Sequence, residues 1–140
     1  MTIRKASIAG FESAARTDTP ADITAEFPGT QQSVPKSENL ANAHIVVDVT
    51  AVSGTAPGVT PKVFYVDPLS GKEIDLISGI AEITAVSTVV LKVGRDIESA
   101  AGLAKQDIIP ADLKVRMVHT NAVDSLTYSV SVLGEFDCYQ

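Results

Sequence analysis

The chain has no tryptophan, one cysteine, two histidines and three tyrosines, and each shortage removes a class of function. A lone cysteine, Cys138, can form neither an intrachain disulfide nor a multi-cysteine metal site. Three tyrosines without tryptophan make a poor stacking surface for sugars, so a carbohydrate-binding adhesion module stands only as a distant alternative. Basic residues are also in deficit. Eleven Lys and Arg against 17 Asp and Glu leave a net charge of −6, the wrong sign for a phosphate backbone, and no nucleic-acid partner is expected. No apolar run approaches the roughly 20 residues that cross a bilayer, so no membrane partner is expected either. The opening Met1–Ala6 carries two basic residues but lacks the apolar stretch of a signal peptide. A reducing compartment such as bacterial cytosol is compatible with this cysteine usage.

The scarcity extends to catalytic side chains. A triad built on His44 or His119 would need a nucleophile and a carboxylate brought in by the fold, and both histidines sit in expected strands, where surface or satisfied interior imidazoles are the better reading. Their spacing suits no metal site. Asp67, Glu73 and Asp75 gather carboxylates near one turn without the spacing of a calcium-binding EF-hand loop, so a solvated hairpin around Gly71 is expected. Gly71-Lys72 lacks the upstream glycine and following Ser or Thr of a phosphate-binding loop. The expectation is a protein that is not an enzyme, with no catalytic residues, cofactor or metal.

What is present is alternation. With 45% hydrophobic and 20% charged residues over 140 positions, the chain has enough apolar material for one core. Ala43, Ile45, Val47 and Val49 share one face of a strand. Further strands are expected at Lys62–Val66, Glu73–Ile77, weakly at Ile80–Thr84, and at Ser87–Val93. Leu113, Val115 and Met117 define another, and Leu126, Tyr128, Val130 and Val132 the last. Turns at 53–58 and 67–72 read as a meander, and Asn121–Ser125 reads as the loop of a hairpin. Residues 94–112 read as a crossover loop with a short helix at most. These short strands suit an all-β, antiparallel two-sheet β-sandwich, Ig-like or jelly-roll-like, over residues 43–140.

Residues 1–42 sustain neither helical nor strand spacing and read as an extended N-terminal arm. Ile3, Ile8, Phe11 and Phe27 would leave apolar surface in water, and burying each contributes roughly 1.5–3 kcal/mol before ordering costs. They are candidate partner contacts. So are Lys114 and Arg116, which project from one strand face with Lys92 expected nearby, and Cys138 and Tyr139 near the terminus.

The ordered series Ile45–Thr55, Asp67–Lys72, Ala81–Val93, Ile108–Arg116 and Leu126–Val132 resembles small virion structural proteins of tailed bacteriophages. The preceding Ala15-Arg16-Thr17 resembles a segment near their N-termini, adding Arg16 to the candidate contacts. The likeness spans residues 15–133 and consists of strand and turn patterns without chemistry. It implies a capsid decoration (cement) protein on the virion surface, made in the host bacterial cytoplasm. The implied partners are the major capsid protein and further copies of itself, with a homotrimer as the first expectation. A neck, tail-completion or tail-associated structural protein is the alternative.

Overall fold

The computed structural model of the chain describes residues 2–24, 40–109 and 113–138. Among these residues there is no helix, and nine strands form. They are β1 (Thr2–Arg16), β2 (Ile23–Thr24), β3 (Leu40–Ser53), β4 (Val59–Val66), β5 (Glu73–Ile77), β6 (Ser87–Gly94), β7 (Ala104–Gln106), β8 (Lys114–His119) and β9 (Ser125–Cys138). A five-stranded sheet runs β1-β9-β3-β6-β7 and a four-stranded sheet runs β2-β8-β4-β5. The fold is the all-β two-sheet sandwich that the alternation implies. Its ladders are antiparallel except for the short β6–β7 pair, which is parallel.

The core lies where the period-2 pattern puts it. Ala43, Ile45, Val47 and Val49 of β3 are fully buried beside Leu91 and Val93 of β6 and Leu126–Val132 of β9. From the opposite sheet Val59, Val63, Val115 and Met117 pack against them. Strand alternation sends every second side chain to this shared interior, and β-branched residues suit the pleated surface.

Residues 2–16 of the expected arm belong to the sandwich. Thr2–Arg16 form a 15-residue strand on β9. Its pattern is hidden because two register shifts, between Ser7 and Ala9 and between Phe11 and Ala14, each reset which residues face inward. Ala9 and Phe11 then both pack on the core. Ile23 and Thr24, also inside the expected arm, form β2, and Phe27 lies outside the described residues. β3 begins at Leu40, three residues before the expected domain start at 43.

Two expected turns are crossings between sheets. β3 and β4 lie in different sheets, as do β8 and β9, so neither the meander through β3 nor the 121–125 hairpin forms. Alternation shows which face of a strand is buried but not which sheet it joins, because both sheets face the same core. The two crossings brace each other: Asp124 Oδ2 accepts the Ala56 N–H at 2.8 Å, beside Gly54 at φ 112°. The 67–72 turn does close a hairpin, through Asp67 N–H to Lys72 O at 2.8 Å and Gly71 N–H to Asp67 O at 2.9 Å. Within the expected 94–112 crossover, the described residues 94–109 hold β7 and no helix, with a single turn at Ala100–Ala104 around Gly102. Ile80–Thr84 contributes one bridge, from Ile83 to Val59.

Candidate interaction surfaces

The outer face of the four-stranded sheet carries a dense cluster of charge. Lys62 on β4 stands opposite Arg116 on β8, and Phe64 stands opposite Lys114. All four share the solvent side because Val63 and Val115 take the inner one. Arg116 donates from Nε and Nη2 to Asp22 at 2.7 and 2.9 Å. It also donates from Nη1 and Nη2 to Glu73 at 3.0 and 2.7 Å. Lys62 Nζ reaches the same Glu73 at 2.7 Å, and Lys114 Nζ donates to Thr24 Oγ1 at 2.8 Å. Both forks of the guanidinium are filled, which stitches Asp22, ahead of the two-residue β2, to β5 at the far edge. Bidentate contact with Arg116, then Lys62, pulls the Glu73 carboxyl down to about 2. Hydrogen bonding to Arg116 likewise lowers Asp22.

Beneath this network lies Phe64, fully buried although it points away from the core. Arg116 Cζ sits 4.8 Å and Lys62 Nζ 4.9 Å from its ring centre. The cations and their aliphatic stems form a roof over the ring. Lys114 and Arg116 therefore act within the sheet. Lys92 is far from them in the topology, on the outer face of the other sheet opposite His44.

A second cluster fastens the end of β1. Arg16 lies over Phe11 and Tyr128, 5.0 and 4.7 Å from their ring centres. It donates to the carbonyls of Tyr128 and Glu12, each at 2.7 Å. The Tyr128 hydroxyl meets His119 Nε2 at 2.9 Å, while Nδ1 of that imidazole is buried with no hydrogen-bond partner among the described residues. Burial lowers the His119 pKa, with Arg16 adding to the effect and Asp18 opposing it. Burial pushes the Tyr128 phenol up to about 12. Both groups are thus neutral near pH 7, and Tyr128 has no exposed surface. The pair ties β8 to β9, and so one sheet to the other.

No family model, curated protein or solved structure matches the chain.

The remaining expected residues are dispersed. Phe11 packs inward, and Ile3 and Ile8 occupy positions in β1. Cys138 ends β9 opposite Thr2, and Tyr139 lies outside the described residues. The three carboxylates of the 67–75 region do not converge. Asp67 Oδ2 accepts from Ser70 N and Oγ at 3.1 and 2.5 Å, whereas Glu73 turns to Arg116 and Lys62. Among the described residues no group of three His, Cys, Asp or Glu is placed to hold a metal ion. His44 lines a groove of about 600 Å³ with Asn42, Asp96, Leu133 and Glu135. There Asn42 Nδ2 donates to Asp96 at 3.1 Å and Glu135 at 3.0 Å, joining β3, β9 and the β6–β7 connection. Sequence reasoning missed Asp22, Glu73 and Phe64 as partners of Arg116. The shared parity of Lys62 with Phe64, and of Lys114 with Arg116, was the available signal.

Proposed function

We propose that this chain is a non-enzymatic structural protein of a tailed-bacteriophage virion, a decoration protein that binds the assembled head shell and stabilises it. The observation that carries this reading is where the chemistry-bearing side chains go. Arg16, Arg116, Asp22, Glu73, His119 and Tyr128 hold strands to one another, which suits a rigid module acting through contact area. The ordered strand-and-turn likeness over residues 15–133 supplies the setting. Binding a completed lattice and not its free subunits stabilises that lattice by linkage. The major capsid protein is the partner, the capsid surface the location, and a trimer at local threefold positions the arrangement that the resemblance implies.

The test is cosedimentation of the purified protein with assembled shells and with dissociated capsid subunits, together with its copy number in virions. Binding to shells alone, at hundreds of copies per particle, supports decoration. A count of about six or twelve would instead place the protein in a neck or tail ring, and binding to neither form refutes the capsid reading.

A further inference from the structure

Among the described strands, three of the four sheet edges are short. β7 has three residues, β2 has two and β5 has five. The fourth edge is β1, a 15-residue strand whose one neighbour among the described strands is β9. An antiparallel strand sends alternate N–H and C=O groups to each side, so a strand paired on one side offers a row of donors and acceptors on the other. A proline would interrupt that row, and β1 contains none.

We propose that β1 is a homotypic docking edge: a second copy of this chain adds its own β1 antiparallel to the first, joining two five-stranded sheets across a two-fold axis. Charge order along the strand argues for a second copy. The N-terminal half of β1 carries Arg4 and Lys5, and its C-terminal half carries the exposed Glu12 and Arg16, whose guanidinium is turned back onto Tyr128 and Phe11 of the same chain. An antiparallel twin lays the basic half of each copy along the acidic position of the other, twice by symmetry. A parallel twin in register would align like charges. Main-chain hydrogen bonds supply the attraction, and the charge order selects the direction and the register.

This contact is separate from shell binding, because it is read on the isolated protein while shell binding is read on particles, and it puts a two-fold pair in place of the trimer that the resemblance implies. The experiment is sedimentation equilibrium of the full chain over a concentration series, for wild type, Glu12→Lys, and the swapped variant Arg4→Glu/Lys5→Glu/Glu12→Lys. Reversible association in twofold steps is expected. Glu12→Lys should weaken it at least roughly tenfold, and the swap, which restores opposite charges, should recover most of it. Amide hydrogen exchange provides the second measurement: the alternate β1 amides that face away from β9 should gain protection as the protein associates. A strictly monomeric or strictly trimeric protein overturns the proposal. So does association indifferent to Glu12→Lys, or full protection of β1 in a monomer, which would mean that the same chain covers the edge.

Discussion

The guanidinium of Arg116 lies 4.8 Å from the ring centre of Phe64, and this contact buries a phenylalanine completely on the outside of a sheet. The arrangement needs Arg116 held flat, which its paired contacts to Asp22 and Glu73 accomplish. Arg116→Ala should therefore uncover the ring and release β2 and β5 together, costing about 1–2 kcal/mol in urea unfolding. Arg116→Lys should recover only part of this, because an ammonium cannot fill two forks. Equal stability of Arg116→Ala and wild type would show that the roof contributes nothing.

The same network sets an acid limit. The Glu73 carboxyl, ordinarily near 4.5, falls to about 2 beside Arg116 and Lys62, so the unfolded chain binds its proton first as pH drops. Stability from this group is fully present above about pH 4.5 and disappears as pH falls towards 2. Glu73→Gln should flatten the loss of urea stability in that window. Added salt should reduce the effect in wild type, since Glu73 is about one-third exposed at 34%. An unchanged acid slope in Glu73→Gln would refute the assignment.

A separate window belongs to the histidines. Burial lowers His119 below 6.5, and burial followed by Lys92 lowers His44, with Glu135 opposing. Each is more readily protonated in the unfolded chain, so their contribution is intact above 6.5 and declines as pH falls below it. Ring-proton titration by NMR should place both midpoints under 6.5. His119→Gln should remove part of the stability change between about pH 6.5 and 5. A His119 midpoint above 6.5 would mean that Asp18 outweighs burial.

The inward faces of β3, β8 and β9 were legible because Ile45, Val115 and Val130 sit in clean period-2 runs, where burial of one face dictates the sequence. Partners of these strands were not legible, since Leu126 and Met117 face one core from different sheets and obey the same alternation. Lys114 and Arg116 were visible as an exposed pair, but their ties to Asp22 and Glu73 depend on strand order across the sheet. β1 escaped notice because each shift of register reverses the inward face, leaving Ala9 and Phe11 out of phase with Ala14 and Arg16.

β1 itself yields the sharpest substitution. A Cβ at Gly10 would stand 2.3 Å from the carbonyl oxygen of Val130, a backbone atom of β9 that cannot turn aside. Gly10→Ala must therefore push β1 outward just where Ala9 and Phe11 pack on the core. A loss of about 1–3 kcal/mol is expected, together with faster amide exchange along β1 and the adjoining half of β9. Phe11→Ala should weaken the same contact by about 2 kcal/mol without the clash. Truncation of residues 1–16 should be more harmful than either, because it strips Arg16 from the Tyr128 ring, removes Phe11 from the core and exposes the β9 edge. A truncated chain as stable as the full one would mean that β1 is a detachable arm after all. The Gly10→Ala exchange pattern would then show no change confined to β9.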